Sequence, residues 1–127
     1  MSYTIKNLRD TKDQAAEFGL SDVGEAHFPR EELSAQSVGL AYHVLKPDRR
    51  QAFGHRHDDA EEVYVVIAGD GRVRLDERIE EVGELDAIRV APEITRAFEA
   101  GPAGMTVLAF GPRFEGDGKL VHDFWVD

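Results

Sequence analysis

What most constrains the fold of this chain is the tight succession of short β-forming runs and turn signals from Pro47 onward. Residues 36–46 (QSVGLAYHVLK) are β-rich and stop at Pro47-Asp48. Residues 62–68 (EVYVVIA) bring Val, Tyr and Ile together in the same way. Gly69-Asp70-Gly71 then reads as a tight reversal into residues 72–76, where Val73 and Leu75 alternate with Arg72 and Arg74, so a hairpin is expected. A second reversal near Asp76-Glu77 leads into runs at 78–82, 86–90, 95–100 and 105–110, each bounded by Gly, Pro or acidic residues. Seven or more strands of this length bury their apolar faces by closing on themselves or stacking. A small all-β antiparallel barrel or sandwich is therefore expected. Helix is scarce: Asp10 could cap a turn over 13–18 that stops at Gly19, and 30–33 could form one more.

A length of 127 residues suits one domain, with a barrel core at about 36–111 between an N-terminal segment (1–35) and a tail (112–127). From Gly111 on the chain carries Pro112, Gly116 and Gly118, then Phe124, Trp125 and Val126. These aromatics either cover the end of the barrel or form a subunit contact in a homodimer. Acidic residues outnumber basic ones 25 to 15, and the net charge of -10 opposes nucleic acid and anionic lipid. The longest apolar run, 63–68, is far short of a membrane span, and no helix-turn-helix is discernible. No basic-then-apolar leader opens the sequence and Cys is absent, so a cytoplasmic protein is expected.

Chemistry concentrates in one stretch, from Gly54 to Gly69. Residues two apart on a strand project from one face at about 6.6 Å along the chain, so His55 and His57 can converge while Arg56 turns away. Asp58-Asp59-Ala60-Glu61 is a plausible loop, after which Glu62, Tyr64 and Val66 share a face. A carboxylate from Glu62 would complete a two-His, one-carboxylate set for a borderline divalent cation. A surface His pair is the plainer explanation of His-x-His taken alone.

The longer spacing resembles the first motif of the cupin family, His-x-His, three or four residues, Glu, six residues, Gly. His55, His57, Glu62 and Gly69 stand in that register, although Arg49 replaces the Gly that opens the family motif. The second motif is degenerate: Leu85 stands for its first Gly, Ala91 for Pro, Glu93 for Gly, and Arg96 for the His ligand. The resemblance spans roughly residues 38 to 110. It implies a double-stranded β-helix, or jelly roll, with a pocket in the barrel, and a site for Fe, Mn, Ni or Zn at His55, His57 and Glu62. It also admits oxygenase, isomerase or cyclase chemistry.

Arg96 leaves two outcomes open. Either the three residues bind a cation and Arg96 clamps an anionic substrate, or Arg96 pairs with Glu62 and the two His line a metal-free pocket. A solvent-facing Arg at a strand end is the plainer alternative. Tyr64, Phe98 and Tyr42 are candidate cavity walls, though core packing explains each equally well. His43 is a candidate fourth ligand if its face of the strand turns inward, and His27 and His122 are expected at the surface. Two functions follow: an enzyme on a small anionic compound, or a non-catalytic small-molecule-binding protein.

Overall fold

Eight strands of one antiparallel sheet make up this computed structural model, which describes residues 2–126. In chain order they are β1 (Gly24–His27), β2 (Val38–Leu45), β3 (Gly54–His57), β4 (Glu62–Leu75), β5 (Arg78–Gly83), β6 (Ala87–Val90), β7 (Arg96–Pro112) and β8 (Gly118–Val121). Hydrogen bonding runs β1-β2-β7-β3-β8, while β4 pairs with β5, β6 and β7. The sheet curls into a half-barrel, the antiparallel architecture that the turn spacing predicts.

β7 is its spine. One edge pairs with β2, from Leu45 opposite Met105 to Val38 opposite Pro112, and the other with β4, from Val63 opposite Phe110 to Leu75 opposite Arg96. Leu45, Val66, Val73, Phe98, Met105 and Val107 are buried in the core between these strands. Each such side chain contributes about 1.5–3 kcal/mol by leaving water. Among the described residues, no helix is long and apolar enough to cross a membrane.

The hairpin expected at Gly69-Asp70-Gly71 does not form, because β4 runs straight through it. Likewise the runs at 95–100 and 105–110 are one strand, β7, continuous through Gly101 to Gly104. The glycines are used for bending. Gly69 (φ +75°) lies against Gly104 (φ +79°), so closely that a Cβ on Gly69 would come 2.0 Å from the Gly104 carbonyl oxygen. The pairing of β4 with β7 shifts register on both sides of this point, as a bulge does. Both strands bend there together. The true reversal is at Asp76, with φ 53°.

At the N-terminus, helix α1 (Gln14–Glu17) is capped by Asp13 rather than Asp10: its Oδ1 accepts from the Ala15 N–H at 3.0 Å and from the Ala26 N–H at 2.9 Å. Residues 30–33 form turns, not a helix. His27, expected at the surface, lies in β1 and is 1% exposed. Burial is tolerated because its ring is satisfied: Nδ1 meets the Thr11 hydroxyl and carbonyl at 3.0 Å, and Nε2 meets Glu25 at 2.9 Å. His122 stays exposed, edge-on to Phe53. The tail adds β8 beside β3, and its aromatics fold onto their own chain. The Trp125 Nε1–H donates to the Gln51 carbonyl at 2.9 Å, and Arg74 lies 4.6 Å from the Phe124 ring centre.

Candidate functional site

Period-two alternation in β3 turns His55 and His57 to one side, and Arg56 away toward Asp58 at 3.8 Å. The chain returns through residues 58–61 and enters β4 with Glu62 and Tyr64 facing the same two rings. A single carboxylate oxygen becomes the hub. Glu62 Oε1 lies 3.2 Å from His55 Nε2, 2.9 Å from His57 Nε2, 2.7 Å from the Tyr64 hydroxyl and 3.0 Å from Arg96 Nη2. Arg96 reaches it because β7 starts beside β3, with Arg96 directly opposite His55.

Arg96 is 0% exposed, so it is not the solvent-facing strand end of the plainer alternative. Its Nε donates to the Tyr64 hydroxyl at 3.0 Å, and Nη1 to the carbonyls of Pro92 (3.1 Å) and Ile94 (2.6 Å). The guanidinium is thus turned inward onto Glu62 and backbone, not toward the cavity that His55 and His57 line. The Arg96–Glu62 pairing is thus formed, while His55, His57 and Glu62 still stand together. As placed here, the clamp on an anionic substrate is not available to Arg96. Phe98 is likewise buried behind Tyr64, ring centres 5.0 Å apart, and is not a cavity wall. Tyr64 does line the cavity.

Charge states follow from these contacts. Burial works to raise the Glu62 carboxyl, but hydrogen bonds from His55, His57 and Tyr64 outweigh it and hold the group well below the usual carboxylate range. Its hydrogen bond to Glu62 raises His57 against the opposing effect of burial. Burial, helped by the Glu62 charge, pushes the Tyr64 phenol up, so it stays a donor. His43 lines the cavity from β2, and burial lowers it to about 4, with the neighbouring His55 acting in the same sense. It is a neutral imidazole near pH 7.

Asp117 escaped the sequence reading. It is buried just before β8, where Oδ2 meets His57 Nδ1 at 3.0 Å and accepts from the Ala60 N–H at 3.0 Å. Its Oδ1 accepts from the Asp59 N–H at 2.7 Å. One carboxylate therefore orients the His57 ring and pins the loop that delivers Glu62. No local motif signals it, since 60 residues separate it from His57.

His55, His57 and Glu62 form a cluster that could hold a metal ion, their ligand atoms all within 4.8 Å of one another. The two His–Glu separations, 2.9 and 3.2 Å, suit neighbouring ligands about a cation with bonds of roughly 2.0–2.2 Å. Asp117 supplies the outer carboxylate that metal-binding His residues commonly use. Arg96 opposes a cation by its charge, and His43 is not one of the three clustered residues. Above the cluster the cavity has a volume of about 770 Å³. Its walls are mostly apolar, and Phe18, Phe28, Phe114 and Leu120 line it as exposed side chains.

No family model and no curated protein matches this sequence. Solved structures do match the fold. A cupin protein from Bacteroides fragilis is 18% identical with a TM-score of 0.71, covering 100% of this chain and 98% of that one. The polyketide cyclase RemF from Streptomyces resistomycificus is 18% identical with a TM-score of 0.73, covering 98% and 87%. A Streptomyces protein solved with uridine is 18% identical with a TM-score of 0.68, covering 95% and 90%. At this identity the likeness establishes the fold, the double-stranded β-helix of cupins.

Proposed function

We propose that the cavity is the active site of an enzyme acting on a small molecule, with His55, His57 and Glu62 as a divalent-cation face at its base. One observation carries this reading: two imidazole nitrogens and an ionised carboxylate oxygen, from two strands, converge at 2.9 and 3.2 Å beside an otherwise largely apolar cavity. A cation bound there would supply Lewis acidity to a substrate oxygen. The chain's own groups do the rest. Asp117 holds His57 by Nδ1, leaving Nε2 for the site, and Arg96 with Tyr64 keeps Glu62 ionised and oriented. His43, neutral and beside the same space, is able to accept a hydrogen bond from a bound substrate without taking up its proton. Isomerase or cyclase chemistry, which moves protons next to a polarised carbonyl, suits this set. The likeness to a polyketide cyclase supports it.

A second reading rests on the Arg96–Glu62 contact of 3.0 Å, which places a permanent positive charge beside the proposed ligand. In it the pocket works without metal, as a binding site or with His57 and Glu62 as acid and base. Metal analysis of protein purified without a histidine tag decides between them. Stoichiometric divalent metal in wild type and none in His55→Ala supports the cation face. Metal in neither overturns it in favour of the second reading.

A further inference from the structure

We infer that the cavity takes an amphipathic acid, its carboxylate held by Arg30 and its apolar body laid along Phe18, Phe28 and Phe114 toward His55 and Glu62. The inference rests on reading the cavity as the active site, and it moves the anion clamp expected of Arg96 to a different guanidinium.

Arg30 carries the signal. Among the described residues, its Nε is the buried side-chain polar atom left without a hydrogen-bond partner. Nη2 has only a long contact, 3.4 Å, to the Gln36 carbonyl. A guanidinium keeps its charge in proteins, so an unpaired buried N–H on it is costly and calls for a partner. The backbone under it is set by the turn after Pro29, where the Ala35 N–H donates to the Arg30 carbonyl and the Leu33 N–H to the Pro29 carbonyl, both at 2.9 Å. Arg30 lines the same cavity as His55, His57 and Glu62. The Nη2 end is the exposed one, so a carboxylate accepting there would replace the weak contact to Gln36 and give the guanidinium a counter-charge.

The surrounding charges agree. Three acids line the cavity and all are engaged: Glu25 by His27, Glu62 by Arg96, and Asp117 by His57 and two backbone N–H groups. Lys119 is held by the Gly116 carbonyl and Asp58. The uncommitted charge is cationic, Arg30 together with exposed Arg113, on a protein whose net charge is -10. The apolar side is as specific. Phe18, Phe28 and Phe114 are 71%, 46% and 49% exposed, and all three line this cavity. Large apolar groups gathered around a cavity are what an apolar ligand covers.

Calorimetric titration of the full chain with 6-phenylhexanoate and with 6-phenylhexanamide tests the proposal. Wild type is expected to bind the acid about tenfold tighter than the amide, the effect of one charge-assisted hydrogen-bonded pair. Arg30→Gln should bring acid and amide close to parity by weakening the acid far more than the amide, and a circular-dichroism melt that matches wild type shows that the variant is folded. Arg30→Lys should keep part of the preference. His55→Ala should keep all of it, so loss of the proposed cation face would leave this result standing. Equal binding of the two ligands by wild type, binding of neither, or a preference that survives Arg30→Gln would overturn the proposal.

Discussion

Replacing Arg96 by Met tests the innermost contact of the site. The guanidinium is 0% exposed and makes four hydrogen bonds: to Glu62, to Tyr64, and to the Pro92 and Ile94 carbonyls. The Glu62 side chain is 16% exposed, so Arg96→Met leaves a carboxylate largely shut away from water with its permanent counter-charge gone. Removing one partner of a buried pair costs about 3–5 kcal/mol, a large share of the roughly 5–15 kcal/mol that holds a domain of this size together. In thermal melts this is a fall of about 10 °C or more. Equilibrium urea unfolding near neutral pH measures the loss, and a cycle with Glu62→Gln isolates the pair. The double variant should recover about 2 kcal/mol relative to the sum of the singles, and moderate salt should not erase the coupling, because screening acts weakly on buried charges. Additive single effects, or a loss under about 1 kcal/mol in Arg96→Met, would show that Arg96 does not sit on Glu62.

Three further outcomes follow from other contacts. His43 is lowered from 6.5 to about 4, so the unfolded chain takes up its proton first, and stability falls as pH drops through that window by about 3 kcal/mol. His57, raised, has the opposite sign, its contribution whole below 6.5 and lost as pH rises through its folded value; unfolding of wild type against His43→Gln across pH isolates the first effect, and parallel curves would refute it. Asp117→Asn removes the charge that orients His57, so divalent-metal affinity should fall about 10–100-fold and His57 should titrate lower by NMR; an unchanged titration would refute the link. Gly69→Ala puts a Cβ 2.0 Å from the Gly104 carbonyl oxygen at a positive φ, and a loss of about 3 kcal/mol or more is expected in denaturant; a neutral effect would mean that the paired bend is absent.

Part of this was legible in the residue order because it depends only on near neighbours. Alternation puts His55 and His57 on one face, a four-residue loop returns Glu62 beside them, and closely spaced turn signals imply many short strands. All of these are properties of chain geometry over a dozen residues. The same local reading failed at Gly69-Asp70-Gly71, because glycines permit a reversal and a bulge alike, and the choice falls to the long β7 partner.

Where a side chain spends its hydrogen bonds lay beyond the local pattern. Arg96 could have faced substrate, solvent or Glu62, and packing beside β3 and β4 turned it to Glu62. Asp117 and Arg30 carried no motif at all; each matters through what lies beside it in space, His57 from 60 residues away and a cavity built from most of the chain. Period and spacing are short-range and survive in the order of residues. Desolvation and charge pairing depend on what closes over a group, and that exists only once distant strands have met.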